Sequence, residues 1–307
     1  MRILVLGAGA IGGFFGGRLA EAGVDVTFLV RARRKAQLEA NGLVVKSAAG
    51  DIALKPKLLT AGEAPSPFDI VLLSCKSYDL DDAIAAIAPF MGPCSAVVPL
   101  LNGLAHMDRL SAALGSARVM GGACHIGAAL DPDGTVRHIG ELQAITFGEL
   151  TRAPSERTDA LLAAFARSKV RASVAPDIMQ ARWEKLVMLA ALAATTTLTR
   201  ATIGEIMAAP SGEAFALAAL GECAAIAAAE DHAPSEKSLA QARTLLTTRG
   251  SPFAASTMRD LAAGRRTEGD HIVGDLVRRA RKRGIAAPIL STALTNIEVH
   301  EARLPRA

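Results

Sequence analysis

Four short apolar runs punctuate the first hundred residues: 2–6 (RILVL), 24–30 (VDVTFLV), 69–74 (DIVLLS) and 96–101 (AVVPLL). Each is too short for a helix and too uniformly apolar for a strand with one wet face, so each predicts a strand buried on both sides. Pro99 places the fourth at a sheet edge or a strand end. Between the runs, residues 11–22, 33–41 and 80–87 read as helices, the first closed by Gly23. Strand and helix alternating in this way predict a parallel sheet covered on both faces. From about residue 134 the rhythm changes. Residues 135–139 and 143–148 predict two strands joined by a short turn at Gly140–Glu141, 155–168 predict a helix, and 170–174 a last strand. Beyond Ala175-Pro176-Asp177 every segment reads as helix: 178–194, 212–230, 235–248, 256–263, 268–283 and 289–303. The expected organisation is an α/β domain over 1–175 followed by an all-α domain over 176–307.

The first strand runs straight into Gly7-Ala8-Gly9-Ala10-Ile11-Gly12, a GxGxxG turn that opens a helix. In that setting the motif has a mechanism. Gly7 permits the tight turn, Gly9 lets the backbone approach a pyrophosphate, and Gly12 lets the helix pack against the strand. Around Ala10 and Ile11 the helix start offers N–H groups and partial positive charge to the phosphates. The α/β domain is therefore expected to be a Rossmann-type dinucleotide-binding domain. The end of the second strand selects the dinucleotide. An acidic residue there would hold the ribose hydroxyls of NADH, but Val30 is followed by Arg31, with Arg33 and Arg34 close behind. Guanidinium groups grip a 2′-phosphate with forked hydrogen bonds, so the expected cofactor is NADPH, with Arg31 as the direct contact.

The remaining composition narrows the class. The chain has 307 residues, enough for two domains, and half of them are hydrophobic. A net charge of +4 serves an anionic cofactor or substrate as well as it serves nucleic acid. No nucleic-acid motif accompanies the two basic clusters. The later one, Arg278, Arg279, Arg281, Lys282 and Arg283, reads as a solvated helix face. Cys75, Cys94, Cys124 and Cys223 form no CxxC pair, and His106, His125, His138, His232, His271 and His300 show no ligand spacing, so no metal is expected. Residues 3–17 are apolar but broken by glycines at 7, 9, 12 and 13, unlike a signal peptide. No apolar run reaches the roughly 18 residues of a membrane span, so a cytoplasmic protein without a membrane partner is expected. An apolar face of the helical domain could serve a homodimer, but a buried core explains the same residues.

Five segments together are similar to one family. GAGAIGG at 7–13, CKSYDL at 75–80, LLNGLAHMDRL at 100–110, RWEKL at 182–186 and STMRDLAAGRRTEGDHIVG at 256–274 resemble the ketopantoate reductases (2-dehydropantoate 2-reductases). The resemblance covers nearly the whole chain. It implies NADPH-dependent reduction of ketopantoate to pantoate, a step of pantothenate biosynthesis, in a cleft between the two domains. It also implies roles: Lys76 holds the 2′-phosphate beside Arg31, and Asn102 reaches the nicotinamide and the substrate. Lys185 is the general acid, Glu268 is an active-site carboxylate, and Thr257, beside Ser256, binds the substrate carboxylate. The chemistry agrees, because hydride delivery to a ketone leaves an alkoxide that needs a proton donor.

The chain departs from the family at three positions. The family carries asparagines four and eight residues after the lysine, on one helix face, and three residues before the carboxylate-binding serine. Here these are Leu189, Ala193 and Ala254. A buried substrate hydroxyl left without a partner costs about 1–3 kcal/mol. Thr195, Thr196 or Thr197 could compensate; otherwise a 2-keto acid with a more apolar tail is the expected substrate. Two rivals share the cofactor domain: a dehydrogenase for a 3-hydroxy acid or a sugar-acid phosphate, and a non-enzymatic NADPH sensor. The WEK and TEGD segments speak against the first, Lys185 and Glu268 against the second.

Overall fold

The computed structural model describes residues 1–63 and 66–305, which form two compact units. The first comprises Met1–Leu101 and His106–Met179; the second comprises Asn102–Ala105 and Gln180 onward.

In chain order the first unit contains β1 (Arg2–Leu6), α1 (Ala10–Glu21), β2 (Asp25–Leu29), α2 (Ala32–Asn41), β3 (Leu43–Lys46), β4 (Ile52–Leu54), β5 (Lys57–Leu59) and β6 (Phe68–Leu73). It continues with α3 (Leu80–Ile87), β7 (Met91–Pro99), α4 (Ala105–Leu114), β8 (Met120–Leu130), β9 (Val136–Glu149), α5 (Glu156–Ala166) and β10 (Arg171–Val174). A parallel sheet runs in the order β5-β2-β1-β6-β7. The period-two alternation of strand side chains divides its apolar residues between two cores. Ile3, Val5, Ile70 and Leu72 pack with Phe14, Phe15 and Phe28, while Leu4, Val71 and Leu73 pack with Leu80, Ala83 and Ile87. β7, the strand carrying Pro99, lies at the edge, where a missing N–H costs no ladder bond.

A second sheet, β10-β9-β3-β4 with β8 alongside β9, covers the other side of α1. Here the sequence expectation needs correcting. Residues 135–139 and 143–148 do not fold back on each other; both halves belong to β9 and pair antiparallel with β8. Ile126 faces Gln143 and Gly127 faces Ile139, so Gly140, Glu141 and Leu142 bulge out of β9 and make no hairpin turn. β8 (MGGACHIGAAL) supplies the partner that keeps the chain extended.

The second unit is helical: α6 (Ile178–Thr199, entering from the first unit's last two residues), α7 (Ile203–Ala208), α8 (Gly212–Ala229), α9 (Glu236–Thr247), α10 (Ser256–Ala262), α11 (Asp275–Arg283) and α12 (Pro288–Arg303). From Ala190 to Thr197 α6 is buried all round, as a central helix must be. It outruns its expected end at 194 because Thr195, Thr196 and Thr197 are buried in the core, and the hydroxyls of Thr195, Thr196 and Thr199 are satisfied by the carbonyls of Ala191, Leu192 and Thr195. α8 is long and apolar enough to cross a membrane by length and composition, against the expectation of no such run. It packs on α7, α9, α11 and α12, and its Glu222 caps α12 by accepting from the Ile289 and Leu290 amides at 2.9 and 3.0 Å, so its apolar face serves a core. The helix expected over 268–283 starts as a π-helical turn, Asp270–Gly274, before α11. In the basic cluster, Arg279 bridges Asp275 and Glu230, Arg283 also meets Glu230, and Arg278 meets Asp270. Ion pairs within the unit thus take up three of its five charges.

Candidate active site

The turn between β1 and α1 has the shape that the glycine pattern predicts. Gly7 adopts φ +88°, and its amide donates to the Leu29 carbonyl of β2 at 2.9 Å. Gly12 faces the start of the turn, and a Cβ there would overlap the Gly7 carbonyl oxygen and Ser74 Oγ. Gly12→Ala is therefore expected to cost about 1–3 kcal/mol through overpacking, seen as a lower Tm. An unchanged Tm would show that the helix can move off the strand freely. Gly9, the N-cap of α1, faces open space: nothing lies within 4 Å of where its Cβ would be. No side chain caps the helix start, and the first turn, Ala10, Ile11 and Gly12, holds no acidic residue. An open backbone face with uncapped amides fits a pyrophosphate.

The positively charged residues beyond β2 divide into two jobs. Arg31 is the N-cap of α2 and projects into solvent, meeting Asp79 at 3.3 Å. Asp79 closes a 3₁₀ turn, Ser77–Asp79, that Lys76 opens, so Arg31 and Lys76 are brought to the same neighbourhood at the strand ends. Arg34 does something the sequence did not reveal. Its Nε and Nη2 both donate to the Ala8 carbonyl, at 3.1 and 2.8 Å, and Nη2 also reaches the Gly134 carbonyl at 3.0 Å. Half-buried, with Nη1 also donating to Gln37 Oε1, Arg34 braces the glycine turn.

In the helical unit, Lys185 is half-buried on α6. Leu189, four residues on, is half-buried and Ala193, eight on, is buried, so this stripe of α6 continues without a polar group. Thr257 is buried and Ser256 half-buried at the start of α10, and Ala254 just before them is buried. This segment is tied to α6 by the Ala255 amide, which donates to Thr196 Oγ1 at 3.4 Å. The hydroxyl protons of Thr195 and Thr196 already go to carbonyls of α6, which limits how far these two can replace the missing amides.

Asn102 sits in the turn after β7, where Gly103 has φ +85°, and this turn belongs to the helical unit. Arg182, one turn before Lys185, is buried and donates from Nη2 to the Gly103 carbonyl at 2.7 Å. His271, one turn after Glu268, forms a hydrogen bond with the Asn102 backbone. The structure therefore groups Asn102, Arg182, Glu268 and His271. Arg182 and His271 lie inside the motifs RWEKL and TEGDHIVG, but their types alone announced no role.

Burial holds the His271 imidazole below its ordinary pKa of 6.5, assisted by Arg182 and opposed by Glu268, Asp275 and the Asn102 backbone. The unfolded chain then binds the extra proton first. The stability from keeping this ring neutral is complete above about pH 6.5 and is lost as pH falls through the depressed folded value. Between pH 7.5 and 5 the Tm of the wild type should fall further than that of His271→Gln; parallel curves would remove His271 as a source of acid sensitivity.

Residues 3–152 match the family model described as "Ketopantoate reductase PanE/ApbA", and residues 177–301 match its C-terminal counterpart. Over 306 residues the chain is 38% identical to an uncharacterized oxidoreductase, YkpB, of Bacillus subtilis, covering 98% of this chain and 99% of that protein. It is 30% identical over 294 residues to a 2-dehydropantoate 2-reductase of Halobacterium salinarum, covering 95% and 96%. A crystal structure of a PanE/ApbA family ketopantoate reductase from Ralstonia eutropha JMP134 superposes with a TM-score of 0.89 at 28% identity, covering 99% of each chain. The fold is also that of a D-mandelate dehydrogenase solved with NADH and anilino(oxo)acetate, at a TM-score of 0.88 and 21% identity, covering 98% and 99%. These full-length matches, in which both halves of the chain agree, establish it as an oxidoreductase belonging to the ketopantoate reductase PanE/ApbA family.

Proposed function

We propose that the protein reduces 2-dehydropantoate to pantoate with NADPH. The reading is supported by an uncapped glycine turn in the same unit as Arg31, which pairs with Asp79 at the end of the 3₁₀ turn that Lys76 opens. The amides of Ala10, Ile11 and Gly12 would hold the pyrophosphate, and Arg31 and Lys76 the adenosine phosphate. NADPH, when bound, supplies the hydride that goes to C2 of the keto acid. Thr257 and Ser256, at the N-terminus of α10, bind the substrate carboxylate, where an anion is favoured. Asn102 orients the keto group. Lys185 gives its ammonium proton to the oxygen as the C–O bond becomes an alkoxide, and Glu268 keeps that ammonium aligned. The product is the 2-hydroxy acid, and solvent reprotonates Lys185.

A second reading is favoured by Leu189, Ala193 and Ala254, which offer no amide to a distal hydroxyl, and by Thr195 and Thr196, whose protons are already used. On that reading the substrate is a 2-keto acid with an apolar tail. NADPH oxidation measured against a panel of keto acids tests both. The first reading expects kcat/KM for ketopantoate to exceed that for 2-ketoisovalerate by about tenfold or more, the worth of one satisfied hydroxyl. A ratio reversed in favour of 2-ketoisovalerate selects the apolar substrate, and oxidation of NADPH with neither compound would sink the enzymatic assignment to 2-keto acids.

A further inference from the structure

We infer that His271 and Arg182 are positioning residues that hold Asn102 in place through its backbone and that of Gly103. The inference rests on the proposal that Asn102 lies at the reacting centre, and it adds what fixes that residue there.

Asn102 follows β7 in the chain, yet residues Asn102–Ala105 group with the helical unit. Two anchors account for this. Arg182, 4% exposed, gives the Gly103 carbonyl a charge-assisted bond of 2.7 Å. His271 bonds the Asn102 backbone in a sense that favours the protonated ring, as donation to a carbonyl does. The His271 ring also lies flush against Gly103: a Cβ there would be 2.8 Å from Cδ2 and 3.0 Å from Nε2. With φ at +85°, Gly103 makes a turn that an L side chain would strain, and it accepts a ring at a distance that no Cβ would allow.

The placement of the anchors gives them a function. Arg182 is at i−3 from Lys185 on α6, and His271 is at i+3 from Glu268. One helical turn therefore separates each anchor from the proposed acid or its carboxylate partner. Both anchors act on main-chain atoms, so neither uses the Asn102 side-chain amide, which is left to orient ligand. Burying an arginine is costly unless the site returns hydrogen bonds of good geometry. The bond to the Gly103 carbonyl fixes the turn where sub-ångström placement of the preceding residue, Asn102, matters. The charged groups facing His271 are Glu268, Asp275 and Arg182.

Hydrogen exchange and steady-state kinetics on the full-length protein test the inference. His271→Ala is expected to speed amide exchange across residues 103–105 and to lower kcat by up to about 100-fold, the effect of misplacing a positioning group by about an ångström. Its Kd for NADPH should rise no more than about threefold, because only the nicotinamide end meets Asn102 and the proposed phosphate contacts in the first unit are unchanged. His271→Gln, which keeps a donor of similar reach, should recover most of the lost kcat, and Arg182→Lys should speed the same amides. Adding Asn102→Ala to His271→Ala should cost less than about threefold more, since residues acting through one another are not additive. Unchanged exchange at 103–105, or additive losses in the double variant, overturns the inference. Full turnover in Asn102→Ala alone overturns instead the reading of Asn102 on which it rests.

Discussion

Lys185→Ala is expected to lower kcat by roughly 10²- to 10⁴-fold, the usual worth of a positioned general acid, while NADPH binds as before. The two halves of that expectation come from different units of the molecule. The proposed contacts to the pyrophosphate and the 2′-phosphate, from Gly7 to Lys76, lie in the first unit, whereas Lys185 lies on α6 of the second. Truncating a side chain on α6 removes no cofactor contact, so calorimetry should return the wild-type Kd. The helix should survive, because alanine is the best helix former and the neighbouring positions Leu186, Val187, Ala190 and Ala191 already supply the buried face. What disappears is the proton for the alkoxide. Water would have to supply it without being a positioned donor, so the chemical step slows even though both reactants remain bound. The loss should fall on kcat and kcat/KM together, as expected for an interaction made only in the transition state. Normal turnover in Lys185→Ala would remove this residue from the chemistry and leave Glu268 and Asn102 without a partner for their proposed roles.

How much of this was legible beforehand depended on whether a residue's signal was local. RILVL followed by GAGAIG announces a strand, a turn and a helix within twelve residues, and the same local reading placed α3 at its observed bounds, Leu80–Ile87. β8 was invisible because its residues are rich in Gly and Ala and include one β-branched side chain, Ile126; its strand character comes from pairing along β9. That unseen partner also explains the hairpin error, since a glycine near 140 reads as a turn when nothing holds the chain straight. The helix expected over 178–194 runs on through Thr195 and Thr196, whose hydroxyls bond carbonyls of the preceding turn. At the site, the GxGxxG turn and Arg31 carry their meaning in their own spacing. Arg34 stands three residues from Arg31 and has the same charge, yet its guanidinium is aimed at the carbonyls of Ala8 and of Gly134, the latter 100 residues away in the chain. Nothing local separates a phosphate ligand from a brace. Arg182 and His271 were missed for the same reason, because both act on a loop some 80 residues or more away in the chain.

Arg31→Glu is expected to raise the Kd for NADPH by about 100-fold or more while leaving that for NADH within about threefold. At this position Arg31 holds an ion pair with Asp79 at 3.3 Å, with 77% of its side chain exposed. An exposed pair of this kind is worth little, about 0–1 kcal/mol, because water screens it. A phosphate monoester carries nearly twice the charge of a carboxylate near pH 7 and presents three acceptor oxygens to the guanidinium fork. The phosphate should therefore displace Asp79 easily, with Lys76 at the start of the same turn adding a second positive charge. Reversing the charge at 31 changes attraction to repulsion twice over, against the phosphate and against Asp79, and affects nothing that NADH uses except its ribose hydroxyls, which a carboxylate accepts. The contrast that isolates the mechanism is Asp79→Asn, which removes the competitor and should tighten NADPH a few-fold without touching NADH. Titrating NADPH, NADH and adenosine 2′,5′-bisphosphate by calorimetry reads all three effects, and the bisphosphate should follow NADPH because it carries the 2′-phosphate and no nicotinamide. If the wild type binds NADH more tightly than NADPH, or if Arg31→Glu leaves the bisphosphate Kd unchanged, the positive charge past β2 does not select the cofactor.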